Sequence, residues 1–215
     1  MLKLLPEYKD AEIIRTRDQT LLDTCDVVVD VGGVFDPAKH RYDHHQKTFS
    51  DSVSTLIPGK KWVTKLSSAG LVYVFFGKQI IAELLNTKDE KLIEKIFDKI
   101  YANFMEEIDA QDNGISTHDG EPRYQINTHL GCRVANLRPA WNDEKQDFDS
   151  GFYKAMDLVR PEFVDKIKYY AQVWWPARSI VAEAIENRFK VSQTIMQSLK
   201  TNFNFRLYRF TRVEK

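Results

Sequence analysis

The feature that most constrains this chain is a stripe. From Leu92 onward, apolar side chains fall at positions 92, 93, 96, 97, 100, 101, 104, 105 and 108. Steps that alternate between one and three residues trace a single face of an α-helix. A face that continuous is stable only when another surface covers it, so the chain must build a core around it. With 43% hydrophobic residues in 215, it has the material to do so, and its length suits one domain, or one large domain with a small appendage. The stripe then runs into acids. Asp112 lies four residues after Ile108, and Asp109 continues the line of Tyr101 and Met105. Carboxylates turned coreward at a helix C-terminus are disfavoured twice, by desolvation and by the negative end of the macrodipole. A divalent cation would reverse both penalties. The plainer alternative is a frayed end with its acids in water, and Glu106 and Glu107 fit that equally. Asn113-Gly114 predicts the stop of this helix.

Upstream, Asp26-Val27-Val28-Val29-Asp30 reads as a strand buried on both faces of a parallel sheet, closed by an acid and by Gly32-Gly33. In open α/β sheets ligands bind beyond the carboxyl ends of strands, which makes Asp30 a candidate ligand rather than only a turn acid. Ala11 to Thr16 reads as a further strand. Ser67-Ser68 opens a helix to about Leu85. Thr87 and Glu90 form a capping-box pattern before the striped helix. Positions 151 to 189 read as helical with breaks near Pro161 and Pro176, and the alternation of Phe203, Phe205, Leu207 and Phe210 reads as a strand. The fold class expected is α/β, with a mostly parallel sheet flanked by helices and a helical C-terminal half.

The chemistry concentrates in Arg41-Tyr42-Asp43-His44-His45-Gln46, for three of the five histidines lie within positions 40 to 45. Imidazole and carboxylate together suit Mn²⁺, Fe²⁺ or Zn²⁺ better than Ca²⁺. Adjacent histidines do not easily face one ion. One is therefore expected to ligate while its neighbour faces substrate and the preceding aspartate orients a ring. Other classes recede. Lys plus Arg and Asp plus Glu both total 31, without the basic excess of a nucleic-acid coat protein. Cys25 and Cys132 form no metal cluster. No run of 18 apolar residues is seen, so no membrane is expected as a partner. No Walker loop or dinucleotide fingerprint appears. Lys60-Lys61-Trp62 and Arg206 to Arg212 are candidates for phosphate contact, though solvated surface is the favoured reading. Arg133 and Arg138 read equally as anion forks or as structural ion pairs. His118 and His129 are taken as non-ligands, and Trp174-Trp175 as packing.

In order, a strand-end Asp, an Asp-His-His and a distal helix-end Asp resemble the DHH phosphoesterase superfamily. The segments Leu4-Leu5-Pro6-Glu7-Tyr8, Val29-Asp30-Val31-Gly32-Gly33, His40 to Gln46, Lys65 to Leu71, Asp109 to Ile115 and Gly120 to Tyr124 resemble the MYG (melanocyte-proliferating-gene) family within it. The resemblance covers about residues 2 to 190. It implies that Asp30 bridges two metals, that His44 is a metal ligand, that His45 faces the scissile phosphate and that Asp43 supports the pair. It makes Asp112 the distal ligand, with Asp109 the competitor for that role. It also implies a divalent metal, Mn²⁺ foremost with Mg²⁺ or Zn²⁺ as alternatives, and hydrolysis of a phosphodiester as a 3′–5′ exonuclease on RNA or a short oligonucleotide. Family members carry an earlier His- and Asp-rich motif on a first strand and continue past residue 190. The expectation is thus a DHH-like phosphoesterase domain over 1–190 lacking that strand and motif, then an unmatched tail over 191–215. The exposed sheet edge would invite homo-oligomers. The resemblance places such proteins inside the cell, in nucleus and mitochondrion, with cytoplasm also open. Two rivals stay open: a small-molecule phosphatase or pyrophosphatase, and a truncated, inactive binding protein.

Overall fold

The structure is a computed structural model that describes residues 1–202, with side chains described to residue 190. Two compact units divide the chain, Met1–Ala171 and Gln172–Lys215.

The first unit has a helical core and a small sheet. Two 3₁₀ turns, Leu2–Leu4 and Pro6–Tyr8, precede the short helix α1 (Gln19–Leu22), which Asp18 caps by accepting from the Thr20 N–H. Strands β1 (Val28–Val29), β2 (Phe35–Asp36) and β3 (Arg41–Tyr42) form a sheet of order β1-β3-β2. β1 runs parallel to β3, with Val29 opposite Tyr42, and β2 runs antiparallel to β3. The sheet is therefore mixed rather than mostly parallel, because a 3₁₀ turn over Pro37–Lys39 folds β2 back on β3 as a hairpin. The strand expected over Asp26–Asp30 shrinks to two residues, with Val28 buried and Val27 and Val29 only half-buried. Ala11 to Thr16 forms no strand: its side chains are exposed or half-exposed, and no described strand pairs with it. An apolar run without a partner edge has nowhere to place its backbone hydrogen bonds.

The remaining elements are α2 (Val53–Leu56), α3 (Ser68–Leu85), α4 (Glu90–Ile100), α5 (Glu106–Asp112), α6 (Leu130–Ala135) and α7 (Phe148–Tyr169). α3 begins where the sequence predicts, with the Ser67 hydroxyl accepting from the Gly70 N–H. It is long and apolar enough by composition to cross a membrane, yet half of it is buried among the other helices. The N-cap of α4 is Asp89, which accepts from the Leu92 N–H, rather than the expected Thr87–Glu90 box. Thr87 instead accepts from the Asp89 N–H, because the helix starts two residues later than that box requires. α7 passes through Pro161 without a break. The cost of about 3 kcal/mol for an interior proline is opposed by burying Phe163 and Ile167 further along the same helix, at roughly 1.5–3 kcal/mol each.

The core lies between α3 and α4, where Leu71, Ile80, Ile81, Ile96, Phe97 and Ile100 are fully enclosed. Tyr73 stacks on Phe97 at 4.7 Å. Gly77 makes room for this pair, since a Cβ there would lie 2.9 Å from the Tyr73 ring. Between α4 and α5 the helix widens into a π-turn over Tyr101–Met105. This one turn decides the fate of the acids at the end of the stripe. A π-bulge adds about one residue to the turn and rotates all later positions back along the helix face. Buried positions run 97, 100, 101, 104 and 105 and then fall on 109, while Ile108 is only half-buried and Asp112 is exposed.

The second unit holds α8 (Trp175–Asn202), preceded by a π-turn over Tyr170–Trp174. Trp174 and Trp175 are half-buried at 6.2 Å, and the Arg178 guanidinium lies over Trp175. The expected strand through Phe203 to Phe210 and the Arg206 to Arg212 cluster lie outside the described residues.

Candidate metal centre

The parallel pair builds the site. With Val29 opposite Tyr42, the next residues of the two strands are Asp30 and Asp43, and the ladder continues as the Asp30 N–H donates to the Tyr42 carbonyl at 3.2 Å. Both acids thus stand at carboxyl ends of strands, where α/β sheets bind ligands. Asp30 has a φ of +68°. A left-handed aspartate is uncommon and, at a strand end, marks a constrained position. The turn continues through Gly32 and Gly33, also at positive φ, and the Gly33 N–H donates to Asp43 Oδ2 at 2.6 Å.

Asp43 is buried and fully engaged. Its Oδ1 accepts from His45 Nδ1 at 2.6 Å and from the His45 N–H at 3.2 Å. Burial opposes its ionisation, but the bonds from His45 and Gly33 outweigh it and hold the carboxyl below its ordinary range. Conversely, the bond to Asp43 raises the His45 imidazole against a smaller opposing effect of burial. The Nδ1–H of His45 is thereby pinned to Asp43, while the side chain as a whole is 59% exposed. The His44 and His45 rings lie 4.3 Å apart.

His44 is buried, and burial lowers its pKa although Asp112 and Asp30 pull the other way. Its Nε2 lies 3.1 Å from Asp112 Oδ2, and its Nδ1 lies 3.0 Å from both the Ser68 nitrogen and the Ser68 hydroxyl. Asp30, Asp43, His44 and His45 each offer a ligand atom, all within 4.8 Å of one another. The leading charges acting on the two imidazoles are those of Asp30, Asp43 and Asp112, with that of His45 acting on His44 besides. With burial disfavouring charge on His44, three carboxylates facing these rings leave a local negative excess even when His45 carries a proton, and a divalent cation fits that excess.

Asp109 does not join this cluster. It is fully enclosed. Its Oδ1 accepts from the Ser67 N–H and hydroxyl at 3.0 and 2.7 Å, and its Oδ2 accepts from the Tyr101 hydroxyl at 2.8 Å. Gly70 lets α3 approach this carboxylate, for a Cβ there would meet Asp109 Oδ1 at 2.1 Å. The structure thus brings together Asp30, Asp43, His44, His45 and, through His44, Asp112, and it sets Asp109 beneath them as a clamp on the start of α3. Asp112 is the more exposed acid, the reverse of a buried-charge reading for it, because of the π-turn. α5 ends at the expected place in a Schellman arrangement, with Ile115 N–H to Ala110 O and Gly114 N–H to Gln111 O.

Sequence reasoning treated Ser67-Ser68 only as a helix start and overlooked that they hold Asp109 and His44. The available signal was a serine pair opening a helix, which supplies side-chain and main-chain donors at once. The other candidates resolve simply. Lys60 is nearly buried between Glu94 and Asp98 and lies over the Phe97 ring, and Trp62 is buried against Tyr101. Arg133 is committed as a fork to Glu162 at 2.5 and 2.7 Å, while Arg138 is exposed. His118 meets Thr117, and His129 caps α6 beside Cys132.

Residues 1–208 match a family model, MYG1_exonuc, described as an uncharacterised protein family (UPF0160). The chain is 55% identical over 196 residues to the mouse protein named MYG1 exonuclease, covering 90% of this chain and 52% of that protein. It is 54% identical over 193 residues to human MYG1 exonuclease, covering 89% and 51%. It is 36% identical over 204 residues to a MYG1 protein of Saccharomyces cerevisiae, covering 90% and 59%. The chain spans about half the length of the mouse and human relatives. No solved structure matches. A family model that takes in all the residues of the centre, and relatives of 36 to 55% identity, establish that this chain belongs to the MYG1 exonuclease family.

Proposed function

We propose that this chain carries the metal-binding core of a phosphodiester hydrolase. Asp30, His44 and Asp112 would hold a divalent cation, with Mn²⁺ the first candidate ahead of Mg²⁺ and Zn²⁺. The observation that supports this best is the meeting of two parallel strand ends with a helix end, which sets Asp30, Asp43 and Asp112 around His44 and His45. When bound, such a metal activates water and neutralises charge developing on phosphorus.

The chain's own residues do the rest. Asp43 accepts a hydrogen bond from the Nδ1–H of His45 and fixes the ring, so Nε2 is the atom left to meet a phosphate oxygen. Gly33 holds Asp43 in turn, which ties the position of His45 to the turn that carries Asp30. Ser68 anchors His44 from the far side. The substrate reading, a nucleic acid shortened from its end and RNA cut 3′ to 5′ in particular, rests on the family resemblance and on the relatives' name, exonuclease.

The test is calorimetric titration with Mn²⁺ followed by incubation with a short 5′-labelled RNA. The expected result is micromolar binding and stepwise shortening, both lost in Asp30→Asn. Absence of both in the wild-type chain would overturn the reading. Cleavage of pyrophosphate or a small phosphate ester, with RNA untouched, would move the substrate to the small-molecule class.

A further inference from the structure

We infer that Lys65 is a substrate-contact residue, its ammonium taking an oxygen of the RNA phosphate next to the one that is cut. The inference rests on the metal-hydrolase reading above. The lysine stands where two parts of the centre meet. Three residues further along the chain, Ser68 touches His44 through both its main chain and its hydroxyl. Asn113, next to Asp112, donates from its side-chain amide to the Lys65 carbonyl at 3.0 Å and to the Asp109 carbonyl at 2.9 Å. Lys65 also pairs with Ser52 in an isolated antiparallel bridge, and the Leu66 N–H beside it donates to the Asp51 carbonyl at 2.9 Å. The backbone that carries this side chain is fixed from both sides, so only the stem has to be ordered when a ligand binds.

The side chain is half-buried, and its Nζ lies 5.8 Å from the centre of the Phe49 ring. Phe49 is itself buried, in a T-shaped contact with His44 at 6.4 Å. The two distances, added, hold the ammonium no more than about 12 Å from the His44 ring. Its charge is uncommitted. Lys60 and Lys78 also lie over a core ring, that of Phe97, but both bond Glu94. Lys65 has no ion-pair partner among the described residues. A cation seated on an aromatic face, with no acid to neutralise it, keeps its charge for a ligand. An RNA strand supplies the need. Asp30, Asp43 and Asp112 repel its phosphates, and a bound metal offsets this most at the phosphate it touches. The neighbouring phosphate meets the same acids with no metal on it, and a fixed ammonium at the rim counters that repulsion. One compact point charge suits one phosphate oxygen.

The experiment measures binding of a short 5′-fluorescein RNA by anisotropy, with Mn²⁺ present and His45→Ala in every chain to slow cleavage, from about 50 to 200 mM salt. Lys65→Met keeps the stem on Phe49 and removes the charge, Lys65→Arg restores a cation, and Lys91→Ala removes an exposed charge on α4 as a control. Thermal unfolding checks each fold. The slope of log affinity against log salt should fall by about 0.7 in Lys65→Met, the share of one phosphate on a single strand, and keep its parent value in the other two. In chains with His45 intact, KM for the same RNA should rise about tenfold in Lys65→Met with kcat near wild type. Calorimetric Mn²⁺ affinity should not change. An unchanged salt slope in Lys65→Met, an equal loss in Lys91→Ala, or no recovery in Lys65→Arg would overturn the assignment. So would a wild-type chain that binds Mn²⁺ but not RNA, which leaves the metal centre standing. A wild-type chain that binds neither overturns the metal-hydrolase reading with it.

Discussion

Asp109→Asn tests the organisation of this centre without any substrate. Burial pushes the Asp109 carboxyl up from its ordinary value of 3.8 to about 6, against the pull of Ser67 and Tyr101. A carboxyl displaced that far disfavours its ionised form in the fold by about 3 kcal/mol. The folded state then holds a proton that the unfolded chain releases between those two values. This contribution to stability is fully present below pH 3.8 and is lost as pH rises through about 6. The amide of Asp109→Asn carries no charge. Its oxygen still accepts from Ser67, and its NH₂ meets the Tyr101 hydroxyl, which must turn its own proton away, for a loss of about 1 kcal/mol. Urea unfolding in chelator should find the variant about 1–2 kcal/mol more stable than wild type near pH 7.5, with that advantage gone near pH 5. Asp109→Ala leaves the donors of Ser67 and Tyr101 without an acceptor and should lose about 2–4 kcal/mol at both pH values. An Asn variant as unstable as the Ala variant near pH 7.5 would refute the reasoning, because the negative charge itself would then be holding the fold.

Gly70→Ala should cost about 2–3 kcal/mol and weaken Mn²⁺ binding, since its Cβ would drive into Asp109 and loosen the clamp on α3; an unchanged melting temperature would sink this. His45→Ala should lower RNA cleavage by about 10²–10⁴ while leaving Mn²⁺ affinity close to wild type. Loss of Mn²⁺ affinity in step with activity would place His45 on the ion instead. Lys60→Ala should destabilise by about 1–2 kcal/mol, discounted for its part-exposed partners Glu94 and Asp98, and leave RNA binding unchanged. Weaker RNA binding at unchanged stability would restore Lys60 to a phosphate-contact role.

Much of this protein is written in local chemistry. The start of α3 at Ser67, the striped helix and its stop at Asn113-Gly114 follow from capping, periodicity and a left-handed glycine, none of which needs distant contacts. The concentration of Asp43, His44 and His45 in one loop is likewise plain in the residue order. Tertiary structure decided the rest. Pairing of β1 with β3 set Asp30 beside Asp43, and register is a relation between segments that neither contains alone. Packing settled Lys60 and Arg133 into ion pairs, because the acids that claim them lie 34, 38 and 29 residues away. It also left Ala11 to Thr16 without a strand to pair with. The choice between Asp109 and Asp112 turned on one π-turn at Tyr101–Met105, where Tyr101 packs on Trp62 and bonds Asp109. Periodicity fixes that a helix has a buried face; only the packing of that face sets the rotation that decides which acid is buried and which is turned toward His44.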